Sequence, residues 1–165
     1  MASRFVFTPE SAQFPGSAFP ALKKDAQSRM VVAFDAAADE ECYWTAVAPE
    51  NFSGASNVNV VVSYYMATAS GSTNNVVFAV AIEAPSASED VDSGAYFATD
   101  SSLTSPIPAT QGYYKQATIG VTPALQDALA ASNYFRMRLK RLATNAFDTA
   151  TGDAHVLAVE FKDSV

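Results

Sequence analysis

The chain has 165 residues and a formal charge of −7 at neutral pH; 49% of its residues are hydrophobic and only 16% are charged. At roughly 150 residues per domain this is one domain, large enough to bury a core without disulfides or metals. The aromatic and aliphatic content excludes intrinsic disorder, and the lone Cys42 excludes a disulfide scaffold. No apolar run approaches the roughly 18 residues of a membrane-spanning helix. Seventeen acids against ten bases argue against a partner such as nucleic acid, whose phosphates need a basic face. The opening MASRFVF lacks the long apolar core of a secretory signal, so synthesis in a cytoplasm is expected.

Period-two alternation of apolar residues marks most of the chain as strand. In order, strands are expected at Arg4 to Thr8, Arg29 to Phe34, Glu41 to Ala48, Val58 to Met66, Asn75 to Ala84, Tyr113 to Val121, Tyr134 to Leu142 and His155 to Phe161. Turn residues separate them, as in Ser70-Gly71-Ser72-Thr73-Asn74 and Thr151-Gly152-Asp153. One segment, 122–130, reads as a short helix, with Thr122 as N-cap, Pro123 at the first position, and Leu125 and Leu129 spaced i, i+4. The expected fold is therefore all-β: an eight-stranded antiparallel jelly-roll or β-sandwich with one short helix near 122–130.

Two stretches lack strand alternation. Pro9 to Ala26 carries Phe14-Pro15-Gly16 and Phe19-Pro20, which suits an irregular lead-in over the domain's own core, or an arm packed on a neighbouring subunit. An N-terminal arm with the first strand (1–27) and a jelly-roll body (28–165) then divide a single domain. Pro85 to Gln111 reads as a long crossover between sheets, with a short strand at Tyr96-Phe97.

Little in the sequence reads as chemistry, and no enzymatic activity is expected. Cys42 sits beside Trp44 in a strand as a small buried hydrophobe, and His155 follows a turn, so a nucleophilic pair is not expected. Two such ligands do not make a zinc site. Asp35, Asp39, Glu40 and Glu41 lie close together and Asp148 and Asp153 flank a turn, yet neither loop has calcium-loop spacing. Nothing in the sequence makes carboxylates converge for glycoside hydrolysis. No cofactor and no metal site is expected. The one basic feature is Arg136, Arg138 and Lys140, alternating with Phe135, Met137 and Leu139 and followed by Arg141. Such a stripe either pairs with an acidic neighbour strand or docks an acidic surface.

The segment Val32-Ala33-Phe34-Asp35-Ala36-Ala37-Ala38-Asp39-Glu40, then Trp44-Thr45-Ala46-Val47-Ala48-Pro49, the valine-rich run Val58 to Met66 and the tail Asp148 to Glu160 share a layout. That layout resembles the small jelly-roll capsid decoration (cement) proteins of tailed bacteriophages. The resemblance implies a non-enzymatic virion protein: a homotrimer on the outer capsid surface that binds the major capsid protein and cements adjacent capsomers. Neither nucleic acid nor membrane would be a partner. The surfaces then expected to meet neighbours are the amino-terminal residues Arg4, Phe5, Phe7, Phe14 and Phe19, and the stripe Arg136, Arg138 and Lys140. The alternative is a phage head-fibre or tail-tip module binding host surface glycans, since jelly rolls also serve lectins. Its candidate stacking rings are Tyr113-Tyr114 and Tyr64-Tyr65, with one ring of each pair expected in the core.

Overall fold

The structure, a computed structural model, describes residues 4–164. Ten strands form two antiparallel sheets: β1 Arg4–Phe7, β2 Ala21–Lys24, β3 Met30–Phe34, β4 Glu40–Val47, β5 Val58–Met66, β6 Asn75–Glu83, β7 Ser101–Pro106, β8 Lys115–Val121, β9 Tyr134–Arg141 and β10 Ala154–Asp163. Sheet A has the order β2-β3-β10-β5-β8, and sheet B has the order β4-β9-β6-β7. In sheet A, β1 and β3 share one edge of β10 end to end: β3 pairs with residues 154–156 and β1 with residues 159–162. A bulge between Val156 and Ala158 separates the two pairings.

Alternation places Val58, Val60, Val62, Tyr64 and Met66 of β5 against Phe135, Met137 and Leu139 of β9 and Val76, Phe78, Val80 and Ile82 of β6. Trp44, the single tryptophan, lies buried in this layer, and its indole N–H donates to the Thr8 carbonyl at 3.0 Å. Strand β6 is buried on its outer face as well, at Val77, Ala79 and Ala81. The 142–150 segment runs along its start: Leu142 N–H donates to Val77 O, and Val77 N–H donates to Asp148 Oδ2 at 3.0 Å.

Three expectations change. The count is ten strands, not eight, because β2 lies inside the Pro-rich lead-in and β7 inside the crossover. The crossover strand is Ser101–Pro106, and Tyr96 and Phe97 lie outside any strand. The helix expected over 122–130 is only a 3-10 turn at Pro123–Leu125. Asp127 and Ala128 both take φ of 52°, in the left-handed region that ends a helix. Tertiary contacts set that geometry. The buried Gln126 amide donates to Ser56 O at 2.7 Å and Val121 O at 3.2 Å. Leu129 enters the core, and the Asp127 carboxylate accepts Ala84 N–H at 2.7 Å.

The lead-in packs on its own domain. Gln13 bridges Tyr43, and the Ala18 carbonyl accepts Glu41 N–H at 2.9 Å, so the arm covers the outer edge of β4 and shields it from edge-to-edge pairing.

One buried ion pair closes an end of the sandwich. Arg141 and Asp148 side chains are 0% and 1% exposed, and the guanidinium Nη2 and Nε donate to the carboxylate at 2.9 and 3.1 Å. Its remaining N–H groups donate to the carbonyls of Ala150 and Gly152 at 2.8 Å and of Phe34, in sheet A, at 3.4 Å. Gly152 is required beside it, because a Cβ there would lie 2.6 Å from the Ala69 backbone nitrogen. Replacing Asp148 by Ala leaves a buried unpaired guanidinium and is expected to lower stability by about 3–5 kcal/mol. The control Asp153→Ala removes a partner of Lys23 that lies 3.9 Å away and is 42% exposed, and is expected to cost less than about 1 kcal/mol. Urea unfolding followed by Trp44 fluorescence separates the two cases.

Candidate functional site

The two outer faces of the sandwich differ in charge. On sheet B, β9 presents Arg136, Arg138 and Lys140, as alternation from the core-facing Phe135, Met137 and Leu139 requires. Glu41 of β4 lies 3.2 Å from Lys140 Nζ and 3.8 Å from Arg138 Nε. Glu83 of β6 accepts from Arg136 at 2.9 Å. Asp100, just before β7, accepts from Arg138 at 2.9 Å and lies 3.6 Å from Lys140. The stripe is thus paired with both neighbouring strands and with the crossover.

Aromatic rings complete this network. Phe97 stacks on Tyr43 with centroids 5.7 Å apart. The Arg136 guanidinium lies 4.9 Å from the Tyr43 ring and 5.1 Å from Phe97, and the Arg138 guanidinium lies 4.6 Å from Phe97. Burial, together with donation to Glu41, pushes the Tyr43 hydroxyl up to about 12. Beside the network, a pocket of about 350 Å³ opens between the arm and β4, lined by Pro15, Ser17, Ala18, Asp39, Glu40, Glu41, Lys140 and Leu142. The turn before β4 is tied to the segment after β9: Asp39 accepts from the Thr144 backbone N–H at 2.8 Å and hydroxyl at 3.0 Å, while Asp148 and Asp153 lie outside the pocket. Among the described residues, no group of three or more His, Cys, Asp or Glu is placed to hold a metal ion.

The outer face of sheet A is nearly uncharged across its middle. Register aligns Ala21, Ala33, His155 and Tyr65 in one row. Ser63, Ala158 and Gln116 form another, and Glu160, Val61 and Thr118 lie in the next. Charged residues sit toward the ends, at Lys23 on one side and at Glu160 and Lys162 on the other. Tyr113 and Tyr114, in the approach to β8, are 66% and 61% exposed. The Tyr114 hydroxyl and the Gln116 amide reach Ser63 Oγ at 3.2 and 3.3 Å. For the pair Tyr64-Tyr65 one ring is core, as expected, since Tyr64 is fully buried. Both rings of Tyr113-Tyr114 are outside, because they precede the strand and escape its alternation.

The other expected residues are placed as follows. Arg4 pairs through its backbone with Lys162, and its side chain lies outside the described residues. Phe5 and Phe7 point into the sandwich: Phe5 meets Phe135 and Phe161, and Phe7 stacks near Trp44. Phe14 and Phe19 pack on each other at 6.1 Å, and Phe19 is 48% exposed. Cys42 faces the core from sheet B, whereas His155 stands on the outer face of sheet A.

His155 belongs to a polar chain. Its Nδ1 lies 2.8 Å from the Tyr65 hydroxyl, which donates to Asp25 Oδ2 at 3.4 Å; Asp25 also accepts from Arg29. The imidazole Nε2 is buried without a hydrogen-bond partner. Burial, with Lys23 nearby, holds the ring's proton affinity below the usual His range, against the opposing pull of Asp153 and Asp25. As pH falls the unfolded chain therefore takes up its proton first. The stability tied to neutral His155 is full above the ordinary value of 6.5 and is lost as pH falls from there through the lower folded value. Urea midpoints at about pH 8 and about pH 5.5 are expected to differ less in His155→Asn than in the parent chain.

No family model matches the chain, and no curated protein matches it. Solved structures do. The CBM35 module of Abf62 from Cellvibrio japonicus superposes with a TM-score of 0.52 at 12% identity, covering 96% of this chain and 92% of that one. The xylan-binding module CBM15 gives 0.52 at 11% identity, with coverage of 98% and 97%. The fold is a jelly-roll β-sandwich. At such identities the likeness carries the fold alone, and neither of these two neighbours is a phage capsid protein.

Proposed function

We propose that this chain is a non-catalytic structural module that works by surface contact: a virion protein that sits as a trimer on the outer capsid surface and stabilises the shell. The observation that carries this reading is the segregation of charge between the two outer faces. Sheet B's stripe of charged side chains is matched within the chain, while the middle of sheet A's outer face holds Ala33, Ser63, Ala158 and Gln116, and charge enters at Glu160 in the row of Val61 and Thr118. A neutral sheet face packs against a neighbour with little desolvation of charge. The resemblance to decoration proteins supplies the setting; the fold bears only on its jelly-roll architecture.

The reading is tested by light scattering over a concentration series. The parent chain is expected to rise from its 17.4 kDa monomer mass toward about three times that value. Thr118→Lys, an exposed position on β8, is expected to keep the fold and hold the chain at the monomer mass. A parent chain that stays monomeric at every concentration contradicts self-association through this face.

A second reading is glycan recognition on the same face. It is favoured by the exposed ring of Tyr114, which stands beside the hydrogen-bonding groups of Ser63 and Gln116, with the exposed Tyr113 next to it in the chain. Rings of this kind give a flat apolar surface with a polar tip. Under this reading a glycan array gives a reproducible hit, and Tyr114→Ala weakens that hit by about tenfold, or about 1.4 kcal/mol.

A further inference from the structure

The 84–100 segment follows β6 without regular structure and crosses the outer face of sheet B before β7 begins. Its start is held by the Ala84 N–H, which donates to Asp127 Oδ2 at 2.7 Å, and its end by contacts to sheet B. Tyr96 N–H donates to Glu83 Oε1 at 2.6 Å, and Ala98 N–H donates to Ile82 O at 2.9 Å. Two side chains fill the basic stripe: the Phe97 ring, stacked on Tyr43 under two guanidiniums, and the Asp100 carboxylate, between Arg138 and Lys140. Charge on the sheet itself does not balance. The outward-facing side chains of its strands are Arg136, Arg138 and Lys140 against Glu41 and Glu83, and Asp100 supplies the third carboxylate. Arg138 Nε, although buried, makes no hydrogen bond even with the segment in place.

We propose that this face is a binding site for a ring-bearing carboxylate, a ring with one apolar face and an attached carboxyl group, and that the 84–100 segment occupies it in the free protein. The ligand's ring takes the place of Phe97 on Tyr43, between the guanidiniums of Arg136 and Arg138. Its carboxylate takes the place of Asp100 and accepts from Arg138 and Lys140, as charge-assisted pairing favours. A neutral ring lacks the charge that replaces Asp100 and does not displace the segment. Aromatic acids and hexuronic acids share this chemistry. The site is separate from the sheet A face and does not depend on the assembly reading.

The test uses Phe97→Ala/Asp100→Ala in the full chain, titrated by calorimetry with 3-phenylpropionate and separately with glucuronate; 3-phenylpropanol and glucose are the neutral controls. The double variant is expected to bind at least one of the acids at least tenfold more tightly than the parent chain and neither neutral control. Arg138→Ala in the same background is expected to lose that binding. The acid that binds identifies the source of the carboxylate. A folded double variant that binds neither acid, or that binds the neutral controls as well, overturns the proposal. If the double variant does not fold, hydrogen exchange of the parent chain decides. Saturating acid is expected to deprotect the Tyr96 and Ala98 amides, and unchanged protection there overturns the proposal.

Discussion

The buried pairing of Arg141 with Asp148 sets the geometry on which the rest of the sandwich depends. Sheets A and B share no backbone ladder, so the end of the sandwich needs a tie that crosses between them. Arg141 supplies it from the last residue of β9, reaching the Phe34 carbonyl in sheet A and three groups of the 148–152 turn. The turn then delivers the chain to β10, the strand that holds β1, β3 and β5 together. A guanidinium with five fixed donors suits this position, because each donor finds an acceptor that would otherwise be buried without one. An apolar replacement of the pair would fill the space without fixing where the turn runs.

With that frame fixed, the low charge content of the chain takes on a spatial meaning. The acids and bases on sheet B answer one another across β4, β9, β6 and the crossover. The middle of sheet A's outer face is left to small and neutral side chains beside Tyr114, with Lys23, Glu160 and Lys162 around it. A surface of that kind has little charge to desolvate, so it is cheap to cover. The two faces thus suit different tasks: contact on sheet A, and a plugged basic stripe on sheet B.

Much of this was legible in the sequence where alternation was uninterrupted. The span of β5 is as expected from Val58 to Met66, because every second residue is core and clear turns bound it. Strand β2, Ala-Leu-Lys-Lys, was invisible because all four of its residues are exposed and no face alternates. Strand β7 was hidden by its serines and its closing proline. The helix at 122–130 failed for a different reason: Gln126 and Asp127 are held by Ser56, Val121 and Ala84, contacts that no local propensity encodes. The ion pair had a signal. Arg136, Arg138 and Lys140 share one parity, so Arg141 falls on the core-facing parity with Phe135, Met137 and Leu139. A cation there demands a buried acid. Phe97 and Asp100 carried no comparable mark, since their role depends on where a long crossover returns to the sheet.

The proposal that sheet A is the contact face of a shell protein, with sheet B closed within the chain, is tested most directly by electron cryomicroscopy of the virus particles assembled where this chain is expressed. The account predicts three copies about a three-fold position of the shell, with the outer face of sheet A covered by a neighbour and the Arg136–Lys140 stripe still under Phe97 and Asp100. A shell without this chain, or copies that leave the sheet A face open to solvent, would contradict it.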